Sequence, residues 1–437
     1  MNTMQWNEAT QEEKDRILSR LDRDSGDNGE LKEKVSSILS DVRRNGDSAL
    51  SYYTKLYEGR EVERFKIHLE ADAAQRSQNE ILQDYEQRAI LMAYENIMEF
   101  HELQIPKTLT LEKGGYTLWK SFSSIERVGI YVPAGSAPLV STLLMLACPA
   151  RLAGCEEVVL VTPARTDGSI DPAILFAAEI CGITEAYALG GAQAIAALAY
   201  GTESIKKVSK IFGPGNQFVT EAKLQVSQDS KGCVIDLPAG PSEVLVIADH
   251  FANPEFVASD LLSQAEHDPN AKSVLVSTSK EFVKNVQMVI IRQAAILSRQ
   301  SILKESIRRM QFILVDDNFE ALEVANAYGP EHLILQVDEP MNLARFVKNA
   351  GSVFIGPWSA EALGDFITGP NHVLPTAGYA KCLGGVGVES FMKPTTFQHV
   401  RKEGFLKLAE SAHVLGGLER LDAHQQSITI RRKAISC

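Results

Sequence analysis

From Val128 to Gly356 the chain alternates between short β-branched runs and helical segments, and this alternation constrains the fold more than any other feature. Strands are predicted at Val128–Val132, Glu157–Thr162, Glu185–Leu189 and Val208–Phe212, each followed by a helical stretch. The same rhythm resumes with EVLVIAD, SVLVSTS, QFILVDD, HLILQV and SVFIG, again with helices between them. Strands separated by helices in this way imply parallel sheets covered on both faces. The expected class is therefore α/β: two Rossmann-like parallel-sheet domains, plus small helical N-terminal and C-terminal segments.

Outside that core the pattern is mainly helical. Residues 1–24 read as a short arm and helix, and DSGDNGE over 24–30 as a turn-rich linker. LKEKVSSILSDVRRNGDSALSYYTKLY predicts two helices broken at Asn45-Gly46. The tail from about 390 returns to helices. A formal net charge of −12 argues against a nucleic-acid partner, because phosphate binding needs a basic surface. The six cysteines form no CxxC pair and show no zinc-finger spacing, which suits reduced structural thiols in a cytoplasmic protein. The N-terminal stretch MNTMQWNEATQEEKDRIL carries acidic residues and no apolar run, so it reads as neither a signal nor a transit peptide. No stretch approaches the roughly 20 apolar residues of a membrane span.

Several segments offer chemistry. NPEFVASDLLSQAEHD reads as one amphipathic helix with Asn253 as N-cap and Pro254 at the first helical position. Gln264 and His267 stand three apart near its end, on one face, where they can offer an oxygen and a nitrogen to one metal ion or polar ligand. The competing reading is a solvated last turn. Gly190-Gly191-Ala192-Gln193 and Gly213-Pro214-Gly215-Asn216 bring backbone N–H groups and a carboxamide to strand ends. Open parallel sheets bind ligands beyond the carboxyl ends of their strands, so these turns suit a nucleotide or phosphate, or are simply tight turns. No GxGxxG fingerprint is present. Gly329-Pro330-Glu331-His332 sets an acid beside an imidazole, a pair capable of acid–base work. GDFITGPNH places Asp365 and His372 on one glycine-bounded loop, and LERLDAH places Glu419 and His424 in the tail. Each alone is weak. Together, Gln264, His267, Asp365 and His424 would make an N/O ligand set suited to zinc.

SQAEHD, YGPEHLIL, GDFITGPNHVLPT, IFGPGNQFVTEAK, DLPAGPSEVLVIAD and LDAHQQSITIRR occur in one order across nearly the whole chain. In these motifs the sequence resembles the histidinol dehydrogenase family. The resemblance implies one zinc per subunit, held by Gln264, His267, Asp365 and His424. It implies acid–base catalysis by Glu331 and His332. It implies substrate contacts at Ser242, His332, His372 and Glu419, as well as at the four zinc ligands, and NAD contacts at Tyr131, Gln193 and Asn216. It further implies a cytoplasmic homodimer in which His424 reaches the partner's site. The domains it implies are a 1–24 arm, a first α/β domain over 25–127 and 242–386, an NAD-binding α/β domain over 128–241, and a helical, dimer-swapped tail over 387–437. Some positions depart from the family pattern: Phe366 stands where GDY is usual, Ala134 where YVPGG is usual, and Ser209 where VDKI is usual. The Pro usual shortly before RVG is absent from SFSSIERVG.

The activity so implied is a four-electron oxidation of L-histidinol through L-histidinal to L-histidine with two NAD, the last step of histidine biosynthesis. A relative oxidising another primary alcohol, a zinc hydrolase using Glu331 as base, and a non-catalytic metal scaffold are the competing readings. Retention of Glu419 and the full ligand set favours an imidazole substrate over the first. The adjacent Glu331-His332 pair speaks against the last.

Overall fold

The computed structural model describes residues 3–6, 8–12, 14–15, 18, 29–62, 64–67, 69, 82–134, 137–238 and 240–436. Half of the expected arm over 1–24, and the linker over 24–30 apart from Gly29 and Glu30, fall outside the described residues. The chain divides into two compact units, Met1–Gln104 with Ile125–Phe391 and Ile105–Ser124 with Met392–Cys437. Its early strands are β1 (Thr3–Gln5), β2 (Lys66–Ile67), β3 (Leu109–Lys113), β4 (Tyr116–Ser124), β5 (Arg127–Tyr131), β6 (Glu157–Thr162) and β7 (Glu185–Ala188). There follow β8 (Lys210–Phe212), β9 (Val234–Ile235), β10 (Glu243–Ala248), β11 (Lys272–Ser277), β12 (Gln311–Leu314), β13 (His332–Gln336), β14 (Ser352–Ile355) and β15 (Met392–Val400).

The larger unit holds two six-stranded sheets. The first has the order β1-β12-β11-β10-β13-β14 and is parallel throughout. The second has the order β2-β7-β6-β5-β8-β9 and is parallel except for β2, which runs against β7. The α/β class expected from the alternation is the class found. Strand β10 explains why the pattern reads so clearly: all of EVLVIA is buried. Val244 and Val246 enter the core on one face, and Leu245 and Ile247 the core on the other. A strand covered on both faces is apolar along its length. Burying each such side chain contributes about 1.5–3 kcal/mol.

The caps follow the sequence. The Asn253 side chain accepts from Glu255 N at the start of helix Pro254–Ala265. Gly329 closes helix Asn318–Tyr328 at φ 67°, a left-handed conformation that glycine adopts without a Cβ penalty. Helix Pro254–Ala265 is shorter than NPEFVASDLLSQAEHD predicts, however. It ends at Ala265 with Glu266 as C-cap, so His267 lies in the turn beyond it.

Val35, Leu39, Val42 and Leu50 of Gly29–Glu58 share a core with Ile195, Leu198 and Val219, which lie on helices Gly191–Tyr200 and Gln217–Gln228 beside the second sheet. The segment is two helices that meet at a kink at Gly46 (φ 51°), the break that Asn45-Gly46 predicts. A Cβ on Gly46 would come within 2.1 Å of the Glu203 carboxylate. In the smaller unit, residues 392–400 were expected to be helical. They form β15, paired antiparallel with β4, which in turn pairs with β3. Pro394 and the polar alternation of MKPTTFQHV hid this strand. Helices Lys402–Leu418 and Asp422–Ser436 complete the unit. No helix among the described residues is long and apolar enough to cross a membrane.

Candidate active site

His332 opens β13, and Glu331 comes just before it. In register, His332 stands beside Val244 near the start of β10 and beside Ser352 at the start of β14. The pair therefore sits at the amino ends of these strands, and not at the carboxyl ends where parallel sheets usually bind ligands. The neighbouring backbone fixes both side chains. Glu243 N–H donates to Glu331 Oε2 at 2.8 Å. His332 Nδ1 lies 3.2 Å from Glu243 O and donates to it, which points Nε2 the other way. There Nε2 meets Asp365 Oδ1 at 3.4 Å. Glu331 Oε2 and Glu361 Oε1 lie 3.7 and 3.9 Å from Nδ1.

Asp365 and Glu361 are four residues apart on the short helix Glu361–Phe366, so both carboxylates share its inner face. Their charge states follow from burial and from each other. Burial disfavours a charged His332, but the Glu361, Glu331 and Asp365 carboxylates outweigh it and raise its pKa to about 10. Burial raises Glu331 to about 7. Burial also pushes Glu361 well above the carboxylate range. Asp365 stays below its ordinary value, because its bond to His332 and the imidazolium charge overcome the effect of burial. Charge on His332 and charge on the surrounding carboxylates thus favour each other, while burial opposes both.

Gln264 is fully buried, and neither its Oε1 nor its Nε2 has a hydrogen-bond partner. Both Glu361 oxygens are likewise without one. Buried polar groups are rarely left so, because each costs about 1–3 kcal/mol. A ligand or cation completing the set explains them. The ligand atoms of His332, Glu361 and Asp365 lie within 4.8 Å of one another. His267 stands in the turn after the helix, where crowding lowers its pKa and the Asp365 charge acts on it. Of the four expected metal ligands, Gln264, His267 and Asp365 belong to the larger unit, whereas His424 is exposed in the smaller one, as is Glu419. Ser242 is half-buried just before β10.

His372 is engaged through both ring nitrogens. Nδ1 donates to Asp365 O at 2.9 Å, and Nε2 accepts from Thr142 Oγ1 at 2.9 Å. Burial lowers its pKa and favours the neutral ring that this arrangement needs. A cavity of about 340 Å³ opens over His332, Asp365, Asn371 and His372, with Phe354 and Trp358 on its apolar side. Phe366, the departure from GDY, does not line it and is 56% exposed.

The expected cofactor residues lie at the other kind of strand end. Tyr131 closes β5 and is buried; its hydroxyl accepts from Gly191 N–H at 3.2 Å. Gln193 is buried in the first turn of helix Gly191–Tyr200. Asn216 caps helix Gln217–Gln228 through Oδ1, which accepts from Phe218 N and Val219 N at 3.0 and 3.2 Å. The residue is exposed. Glu361, Glu243 and Thr142 escaped the sequence reading. Glu361 had a usable signal, since a second acid stands one helical turn before Asp365.

A buried acid–base cluster under a cavity, with glycine turns at the ends of a second parallel sheet, defines an α/β enzyme. The family model for histidinol dehydrogenase matches residues 21–432. The curated histidinol dehydrogenase of Campylobacter jejuni (strain RM1221) is 46% identical, with 100% of each chain covered. That of Colwellia psychrerythraea is 45% identical over 98% of this chain and 97% of its own. The crystal structure of histidinol dehydrogenase from Elizabethkingia anophelis superposes with a TM-score of 0.92 at 39% identity, covering 100% of this chain and 99% of that one. The chain belongs to the histidinol dehydrogenase family, and it is an NAD-dependent oxidoreductase.

Proposed function

We propose that this enzyme oxidises L-histidinol to L-histidine in two successive NAD-dependent steps, with zinc in the site. The reading is carried by the buried Glu331–His332 pair set against Asp365 and the unpartnered Gln264. Gln264, His267 and Asp365 would hold the metal, with His424 from a second copy of the chain as fourth ligand. The orphaned Gln264 carboxamide and the Asp365 carboxylate fit this, since a nitrogen–oxygen donor set suits zinc. When bound, zinc would orient the substrate's imidazole and amine more than act as a Lewis acid. Ser242 and Glu419 complete the polar substrate contacts, and His372, its nitrogens held by Asp365 O and Thr142 Oγ1, meets the substrate as part of the cavity wall. Tyr131, Gln193 and Asn216 form the NAD contacts. The protein would work as a cytoplasmic homodimer at the end of histidine biosynthesis.

In the first step the alcohol loses its hydroxyl proton to His332 and its carbon-bound hydride to NAD, giving the aldehyde. In the second, Glu331 takes a proton from water as the oxygen attacks the aldehyde carbon, the carbonyl oxygen takes back the proton that His332 gained, and the resulting gem-diol gives its hydride to a second NAD and a hydroxyl proton to His332, leaving the carboxylic acid. His332 must be neutral to accept a proton. The negative charge of Glu361, Glu331 and Asp365 favours the protonated ring. With that charge balanced by a cation, the imidazole is released to act as a base. Glu331, at about 7, is ionised in a useful fraction near neutral pH.

The test is the NADH yield per histidinol consumed, with and without a chelator. Two NADH per histidinol, abolished by chelation and restored by zinc, is expected. One NADH would leave the enzyme an alcohol dehydrogenase that stops at the aldehyde, and none would refute the reading.

A further inference from the structure

The turn that follows β8 is held by a buried charge pair that the chemistry itself does not use. Lys223, on helix Gln217–Gln228, is 3% exposed. Its Nζ meets Asp236 Oδ1, just beyond β9, at 2.5 Å, and the two side chains are 4% and 1% exposed. The two charges divide the backbone of one residue between them. Lys223 Nζ donates to Gly213 O at 2.7 Å, and Gly213 N–H donates to Asp236 Oδ2 at 2.7 Å. Asp236 is itself tied to the sheet, its N–H donating to Ile211 O at 3.0 Å. On the other side, Gly213 adopts φ +115°, and a Cβ there would come within 2.1 Å of Tyr131 O. The residue is therefore gripped by the pair and pressed against the end of β5.

A buried ion pair adds little net stability over an apolar pair of the same volume. Its distinctive contribution here is direction: one charge fixes a carbonyl, the other fixes the N–H of the same residue. Three residues on stands Asn216, whose Oδ1 is committed to the helix cap and whose Nδ2 takes its aim from the turn. We propose that Lys223 and Asp236 are positioning residues for NAD, setting the Gly213–Asn216 turn so that it meets the cofactor. This rests on the reading that the turn contacts NAD. Neither residue touches the reacting atoms.

Lys223→Met keeps length and removes the charge, and Asp236→Asn keeps an acceptor facing Gly213 N–H. In the full-length zinc-loaded enzyme, Lys223→Met should raise both KM and the dissociation constant for NAD by about tenfold, the scale of a small misplacement of a binding group. The KM for histidinol and the zinc content should not change. Asp236→Asn should give a smaller rise. If the pair is only a folding element, Tm and the active fraction fall while KM for NAD stays, and the proposal is overturned. Should Lys223→Met fail to fold, the double variant Lys223→Met/Asp236→Leu, which buries no unpaired charge, takes the same measurements. Asn216→Ser, which keeps the cap oxygen and removes Nδ2, separates the two readings. If it weakens NAD binding while the folded pair variants do not, the positioning role alone is wrong. If none of these variants changes NAD affinity, the turn does not bind the cofactor and both readings fall.

Discussion

The two sheets of the larger unit present opposite strand ends to chemistry. In the sheet built on β10, the functional groups gather at amino ends: Glu243 opens β10, His332 opens β13, and Glu331 precedes it. In the sheet built on β5, the candidate cofactor groups follow carboxyl ends: Tyr131 closes β5, and the glycine turns follow β7 and β8. The ends differ electrically. Turns after carboxyl ends lead into helix N-termini, which offer N–H groups and partial positive charge to phosphates. Turns before amino ends come from helix C-termini, which offer carbonyls and partial negative charge. Gln264 and His267 lie at such a C-terminus, and the Glu243 carbonyl accepts a hydrogen bond from His332 Nδ1–H. One end therefore suits an anionic cofactor, the other a cation and an imidazolium. The segment between them carries His372, which binds Asp365 O on one side and Thr142, in the first turn of the helix after β5, on the other.

Substitutions at four positions, one of them with a control variant, test how far the two ends are separate. The largest effect belongs to the amino-end pair. His332→Asn should slow oxidation of both histidinol and histidinal by about 10²- to 10⁴-fold, the usual range for acid–base catalysis, with NAD affinity intact. Glu331→Gln should still make the first NADH from histidinol and be slowed as severely on histidinal alone. Because Glu331 acts ionised and burial raises it to about 7, the parent's histidinal step should quicken as pH rises through that value. That rise should vanish in Glu331→Gln. Single-turnover NADH formation from each substrate provides the reading. Equal loss on both substrates in Glu331→Gln would merge the two roles, and lost NAD affinity in either variant would merge the two ends.

A middle-sized effect is expected at the carboxyl-end turn. Asn216→Ala removes both a helix cap, typically about 1 kcal/mol, and the free amide. Asn216→Ser removes only the amide. Both should raise KM for NAD alike without altering zinc content, while only the alanine variant lowers Tm. If serine restores the parent KM, the residue serves the helix and not the cofactor.

The smallest effect concerns how each end treats a buried carboxylate. Asp236, beside the cofactor turn, is paired with Lys223, but Asp260, on the helix leading to Gln264, has a neutral partner, Gln336 Nε2 at 2.8 Å. Burial raises Asp260 from 3.8 to about 7. The folded state then holds a proton that the unfolded chain releases. The stability this group contributes is present below its unfolded value and is lost as pH rises through about 7. Asp260→Asn keeps the hydrogen bond and cannot ionise. In metal-free protein it should melt about 2 °C above the parent beyond pH 7 and level with it near pH 4. A variant that melts lower at pH 8 would show that the charge is stabilised by something other than Gln336.

Much of this was legible because it is local. Strand runs such as EVLVIA, the Asn253 cap and the Gly329 stop depend on neighbours in sequence, and each stands where its residues put it. The adjacency of Glu331 and His332 was readable for the same reason. Glu361 was harder: nothing in SAEALGDF says that its carboxylate is buried against the His332 imidazole, far back in the chain, though its spacing to Asp365 was available. β15 was missed because an antiparallel partner, β4, lies far back in the chain and supplies the pairing that MKPTTFQHV alone does not announce.

By itself the sequence determined the α/β class, the parallel sheets, the caps and the residue types of the site, since periodicity and short-range hydrogen bonding settle these. Tertiary structure alone decided which strand ends face the chemistry. It decided that Gly29–Glu58 packs on helices beside the second sheet, and that His372 spends both nitrogens on protein partners. It also decided the charge of His332, because a buried imidazole is driven towards neutrality unless carboxylates from other parts of the chain are brought within reach, and Asp365 and Glu361 arrive only through the fold.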